Sequence, residues 1–295
     1  MDLRPQGPEI IRTWLFGTVV RYPHLPWKHT MINGWILDPD RKKMSKSFGN
    51  VVTPMDLLHE HSPDGVRYWA ANASPGTDTA FDTGQMRIGR RLATKLLNAS
   101  RFVLGFEGGG EPAHQLDRSM LANLKATADE ATAALDDYDY ARALAVTERF
   151  FWRFCDDYLE LVKPRAYEGD ASAIGALRTA LDILLRLFAP MLPFVTEEVW
   201  SWWREGSIHR AAWPVAEPIV AAEDDPALLS LAAEAIGAVR KAKSEAKVSM
   251  RAPVARLALD AASLEPVLDD IRKAGIIEEI THVPGARGIE VELRS

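Results

Sequence analysis

The chain lacks the features that would place it in several large classes of protein. It has a single cysteine, Cys155, in 295 residues, which excludes an internal disulfide framework and a cysteine-rich zinc site and suits a reducing compartment. No run of about 18 apolar residues could span a bilayer, and the first residues lack the basic, apolar, small-residue order of a signal peptide. The expectation is a cytoplasmic protein with no membrane partner. Internal repeats and low-complexity segments are absent as well. Positive charge does not predominate: the net charge is −6, so a surface for nucleic acid would have to be a local basic patch on an acidic body. What the chain does have is 47% hydrophobic residues, enough for a sizeable core and for two or three domains.

The densest chemistry lies between Asp38 and Asn50, in DPDRKKMSKSFGN. Arg41, Lys42, Lys43 and Lys46 fall within six residues, followed by Ser47 and a Phe-Gly-Asn exit. The stretch has neither the three-and-four spacing of an amphipathic helix nor the alternation of a half-buried strand, so it reads as a loop. A loop this cationic suits a polyanion; the bland alternative is a solvated charged turn.

Before the loop, Glu9 to Val20 reads as a helix after the Gly7-Pro8 turn, and Met31 to Leu37 as one short strand. One strand cannot make a sheet, so residues 1–80 read as the last piece of an α/β domain whose other strands lie outside this sequence, leaving an apolar face or edge near Met31 to Leu37 uncovered. After the loop, Thr53-Pro54 and Ser62-Pro63-Asp64 have the signature of helix starts: a hydroxyl cap, proline at the first position and an acid in the first turn.

From Thr83 the pattern is long and helical. Ile88, Leu92, Leu96, Ala99 and Val103 form an apolar stripe, with Arg87, Arg91, Lys95 and Asn98 beside it. Five basic residues and no acid fall between Thr83 and Phe106, a candidate phosphate-facing surface or an ordinary solvated face. Further helices are expected at 117–136, 139–162, 171–189 and 194–204, the second stopped by Lys163-Pro164. The aromatics Phe150, Phe151, Trp152, Phe154 and Tyr158 read as core. Residues 81–213 are thus a helical bundle, 214–227 a proline-bearing acidic linker, and 228–295 a small α+β appendix of helix, strand, helix, strand and strand. The fold class is mainly α, with an α/β remnant in front.

Four motifs carry a family resemblance. Lys43-Met44-Ser45-Lys46-Ser47 resembles the signature loop of class I aminoacyl-tRNA synthetases. Arg4 to Phe16 (RPQGPEIIRTWLF) and Ser74 to Asp82 with Lys95 to Phe102 resemble the C-terminal part of the valyl-tRNA synthetases, of actinobacterial type, and Phe151 to Pro164 (FWRFCDDYLELVKP) is similar to the bundle motif these share with the isoleucine and leucine enzymes. The resemblance implies an ATP-dependent ligase whose bundle binds the tRNA anticodon stem. Lys43, Met44, Ser45, Lys46 and Ser47 would bind ATP, with Mg2+ accompanying it and no protein-bound metal. Lys43 and Lys46 would be catalytic, stabilising charge on the departing pyrophosphate, and Gly49 would free the backbone for closure. Arg87, Arg91, Lys95, Arg101, Lys163 and Arg165 would meet tRNA(Val) phosphates.

The departures are specific. The family's His-x-Gly-His motif does not occur among His24, His29, His59, His61, His114, His209 and His282, and the valine pocket and editing domain are missing from these residues. Phe48 stands where a polar residue is expected. The readings left open are a C-terminal fragment of a valine–tRNA ligase, a free-standing non-catalytic tRNA-binding module, or half of a split valine or isoleucine enzyme whose N-terminal catalytic half is a separate partner chain.

Overall fold

The computed structural model describes residues 2–45, 47, 49–50, 54–214 and 225–294. Expected features at Lys46, Phe48 and Thr53, and most of the 214–227 linker, lie outside them.

The front of the chain holds two small parallel sheets. β1 (Leu3–Gln6) pairs with β2 (His29–Ile32), and β3 (Ile36–Leu37) pairs with β4 (Thr79–Ala80). The single strand expected over Met31 to Leu37 is therefore broken, and the cause is a contact with Thr77 and Asp78. Gly34 lies so close to the Thr77 backbone that a Cβ there would sit 2.0 Å from its carbonyl oxygen, and the Trp35 amide donates to Asp78 Oδ1 at 2.7 Å. Each half of the strand pairs with a different partner. The expected helix after Pro8 is also subdivided, into a 3-10 turn (Pro8–Ile10), a wide π turn (Ile11–Leu15) and α1 (Phe16–Arg21).

Beyond the loop come α2 (Pro54–His61) and α3 (Pro63–Ala71). Ser62 caps α3 by accepting from the Gly65 amide at 3.3 Å, as its pattern predicts. α4 (Thr83–Leu104) is capped by Asp82, which accepts from Gly84 and Gln85. Its buried stripe is Met86, Gly89, Leu92, Leu96, Ala99 and Val103. Ile88 is exposed instead, because α3 packs against Gly89 so closely that a Cβ there would meet the Tyr68 Cβ at 2.4 Å.

The bundle continues with α5 (Gln115–Asp136), α6 (Tyr140–Arg153), α7 (Leu159–Tyr167), α8 (Ala171–Phe188) and α9 (Pro193–Ser201). A π turn, Phe154–Tyr158, joins α6 to α7 without a break, and α7 runs through Pro164 rather than ending at 162. An interior proline costs about 3 kcal/mol. Burial of Leu161, Val162, Arg165 and Ala166 by the same turn offsets it, since one fully buried Leu or Val side chain contributes about 1.5–3 kcal/mol.

The last segment comprises α10 (Ala227–Glu245), β5 (Val254–Leu259), α11 (Leu268–Gly275), β6 (Ile277–His282) and β7 (Glu290–Leu293). β5 is central, parallel to β6 and antiparallel to β7. This segment is not a separate appendage. One hydrophobic core runs from Leu92 and Leu124 through Leu184 to Ile236, Leu257 and Ile271. Polar contacts close the seam: Ser119 Oγ accepts from the Leu229 amide at 3.0 Å, and Arg153 donates to Ser230 Oγ at 2.9 Å.

Candidate functional site

The basic loop is held at its base by two side chains. Asp38 Oδ1 accepts from the Lys42 amide at 2.7 Å, and Asp38 Oδ2 accepts from Asn50 Nδ2 at 2.9 Å. Asn50 Nδ2 also donates to the Lys43 carbonyl, and Asn50 Oδ1 accepts from the Ser45 amide at 2.9 Å. Asn50 thus bridges the two limbs of the loop. Its amide, with the Lys42 backbone amide, holds the Asp38 carboxyl below the usual carboxylate range. Arg41 turns the corner at φ 61°, and Leu37 bridges to Lys43 across the loop's mouth.

Within this frame Lys43 Nζ lies 3.6 Å from the centroid of the Trp35 ring. Ser45 Oγ and Ser47 Oγ are 3.0 Å apart, so the hydroxyls engage each other inside the loop. Gly49 has φ 66° with nothing near the position of a Cβ, a conformation that favours glycine. Met44 is partly buried. Lys43, Met44, Ser45 and Ser47 are thereby brought together; Lys46 is outside the described residues. The staple residues Asp38, Asn50 and Trp35 were not among the sequence-derived candidates. Only the pairing of the loop's ends reveals them.

The basic stripe on α4 divides into two kinds of residue. Arg87 and Arg91 are exposed and have no hydrogen-bond or ion-pair partner among the described residues. Lys95 instead pairs with Asp156 at 3.1 Å and lies over the Trp152 ring, while the Arg101 guanidinium lies over Trp202. Lys163 lies over Phe102 and near Glu160. Lys95 and Asp156 are 61 positions apart; Phe102 with Lys163, and Phe106 with Tyr167, meet at the same separation. α4 and the π turn with α7 therefore run side by side in the same direction. Tyr167 packs edge-on against Phe102 and Phe106 yet is 68% exposed.

Arg165 overturns its expected role. It is buried, and its guanidinium grips Asp117 with both terminal nitrogens (2.7 and 3.0 Å), Asp270 through Nε (2.7 Å) and Asp170 (3.1 Å). Burial opposes its charge, but these carboxylates prevail and hold it above its ordinary value. No donor face is left for a phosphate. Tyr158 donates to the same Asp117 at 2.8 Å, and burial pushes its phenol well above its ordinary value. The cluster is structural, joining α5, α7, α8 and α11. Phe150, Phe151, Phe154 and Tyr158 are core, and Trp152 packs partly buried against it. Among the described residues, no group of His, Cys, Asp and Glu could hold a metal ion, and no helix is long and apolar enough to cross a membrane.

Known proteins share these two parts. Residues 1–82 match the family described as tRNA synthetases class I (I, L, M and V), and residues 117–259 match the anticodon-binding domain of tRNA ligase. The second match extends from the bundle through α10 to β5, across the boundary expected at 214–227. Valine--tRNA ligase of Salinispora tropica is 56% identical over 95% of this chain and 37% of its own length; that of Thermobifida fusca is 58% identical over 93% and 33%. That of Leifsonia xyli subsp. xyli is 53% identical over 97% and 36%. The chain thus spans about a third of the length of these relatives. The fold also resembles Agrobacterium radiobacter K84 agnB2 LeuRS, solved as a ternary complex with tRNA and LeuAMS. There the TM-score is 0.59 at 19% identity, over 75% of this chain and 29% of that one. With a class I match over the loop segment, an anticodon-binding match over the shared core, and valine-specific relatives along nearly its whole length, the chain belongs to the class I aminoacyl-tRNA synthetases, in their valine--tRNA ligase branch.

Proposed function

We propose that these residues supply the signature-loop half of the ATP site and the tRNA-binding body of an ATP-dependent valine–tRNA ligase. In the activation step the valine carboxylate attacks the α-phosphate of ATP, the bond to the β-phosphate bridging oxygen breaks, and pyrophosphate leaves. Lys43 and Lys46 neutralise charge growing on that leaving group, with Met44, Ser45 and Ser47 shaping the loop around the phosphates and Mg2+ arriving with ATP. The observation that carries this reading is the Asp38–Asn50 staple, which holds the backbone of Lys42, Lys43 and Ser45 in place. Lys43 rests on Trp35, a contact worth about 0.5–1 kcal/mol at an exposed site. A charged hydrogen bond to phosphate contributes about 1.5–3 kcal/mol, so ATP can draw the ammonium off the ring.

The tRNA(Val) backbone would follow Arg87, Arg91, Lys95, Arg101 and Lys163 along α4 and α7. The remaining catalytic half, carrying the histidine motif and the valine pocket, would cover Trp14, Phe16, Val20 and Tyr22, which are 59–66% exposed on one short segment. The site of action would be the cytoplasm.

Two measurements test this. The chain by itself should show no valine-dependent pyrophosphate exchange, and exchange should appear when the rest of the ligase is present; exchange by the chain alone would overturn the half-site reading. Arg91→Glu with Lys95→Glu should weaken tRNA binding and lower the slope of log affinity against log salt by about 1–2, each phosphate contact being worth about 0.9. An unchanged slope would remove these residues from the interface. The continuous core shared by bundle and α/β segment also favours a second reading, a self-sufficient tRNA-binding module. Persistent lack of exchange with the remaining half present would select it.

A further inference from the structure

The corner between α8 and α9 is capped from outside the bundle. α9 begins at Leu192-Pro193, and Leu192 offers no side-chain cap, so the first amides of the helix need other acceptors. Asp64 of α3 supplies both: Oδ1 accepts from Phe194 at 3.1 Å and Oδ2 from Val195 at 2.8 Å, across 130 and 131 positions of chain. One turn further along α3, Arg67 serves the opposite polarity. Its Nη2 donates to the Pro190 carbonyl at 2.8 Å and its Nε to the Met191 carbonyl at 3.3 Å. Asp64 is 4% exposed, which fits a fixed structural acceptor rather than a surface charge.

The same helix reaches the support of the basic stripe. Tyr68 donates to Glu148 Oε2 at 2.8 Å, Glu148 Oε1 accepts from Trp152 Nε1 at 3.0 Å, and Lys95 lies over the Trp152 ring. At the far end of α9, Trp202 lies under Arg101. Gly65 and Gly89 let α3 and α4 approach so closely that side chains would collide with the Met86 carbonyl and with Tyr68. α3 itself follows the signature loop by one short helix. It therefore follows the signature loop in the chain and packs on α4, which carries Arg87, Arg91, Lys95 and Arg101, and on α6 and α9, whose Trp152 and Trp202 lie against Lys95 and Arg101.

We propose that Asp64, Arg67 and Tyr68 are positioning residues that fix the register between the signature-loop unit and the tRNA-facing helices, so that charging of tRNA depends on them while activation of valine does not. This rests on the functional reading above. A small tilt of the bundle leaves the ATP loop's own staple intact but moves the far end of a bound tRNA relative to the adenylate, and a misplacement of about 1 Å can cost about a hundredfold in rate.

The test uses the full-length ligase carrying this segment. Asp64→Ala and Arg67→Ala should each leave valine-dependent pyrophosphate exchange within about twofold of the parent and lower kcat/KM for tRNA charging about tenfold or more. Arg67→Lys should recover part of the loss, and the double variant should lose less than the product of the two. Parallel losses in exchange and charging would make these residues merely structural, and unchanged charging would dismiss the clamp. If the alanine variants fold poorly, Tyr68→Phe, which removes one hydroxyl, carries the same split between assays. Absence of both activities in the parent would refute the functional reading; an active parent with parallel losses would refute the clamp alone.

Discussion

The first 82 residues and the remainder of the chain are folded on different terms. In the front part, the buried aromatic and aliphatic side chains among the described residues are Trp27, Tyr68 and Trp69, while Trp14, Phe16 and Val20 lie 64–66% exposed. Its sheets have two strands each, a size that is marginal alone in water. In the rest, residues such as Leu124, Leu177, Leu184 and Phe188 are fully buried in one core that takes in the last β-sheet. A core of that extent stabilises itself; the front unit relies on hydrogen bonds at the loop base and on the packing of α3 against α4. Loops that act in a reaction are drawn from the less stable parts of proteins, which agrees with the role proposed for the front unit.

The comparison breaks most directly at Arg165. Arg165→Ala leaves Asp117 and Asp270 buried without their cation, a loss of about 3–5 kcal/mol, and it should lower the urea midpoint of the bundle. If the bundle's midpoint is unchanged, the cluster is not what joins its helices to α11. At the junction, Gly89→Ala sets a methyl against Tyr68 and should cost about 1–3 kcal/mol. Amide exchange should rise across α2 and α3 while α8 stays protected; equal acceleration in α8 would make the two regions one cooperative unit.

The smallest effect concerns Cys155. Burial pushes its thiol up to about 12 from an ordinary 9.0, so it should resist thiol reagents at pH 8 until the bundle unfolds. The unfolded thiol ionises first, so the unfolded state binds fewer protons and stability falls as pH rises from about 9 to about 12. Rapid labelling of the native protein would show that the core opens at the π turn.

Much of this was readable from local pattern. The Ser62-Pro63 start, the helices of the bundle and the loop itself follow from caps, periodicity and charge, which act within a few residues. Ile88 and Arg165 depart from their local pattern for the same physical reason. A helical stripe defines a face only to within a residue, and the close approach at Gly89 decides where it lies. Arg165 carries the composition of a surface cation, and only the meeting of Asp117, Asp170 and Asp270 from three other places makes its burial tolerable. The break at Gly34 depends on Thr77 and Asp78, and the capping of α9 depends on α3. Such pairings leave no periodic trace. The cationic stretch was legible as a pattern, whereas the Asp38–Asn50 staple at its base was not.

The π turn at Phe154–Tyr158 has one more consequence. It sets the rotational phase of everything in α7, because each residue of helix advances the side-chain direction by about 100°. Deleting a single residue there would turn Arg165 out of its acidic cluster and swing Tyr167 away from Phe102 and Phe106, while hardly changing composition or length. The extra residue works like the tooth of a gear, and one missing tooth would misalign the interior salt cluster and the outer aromatic row together.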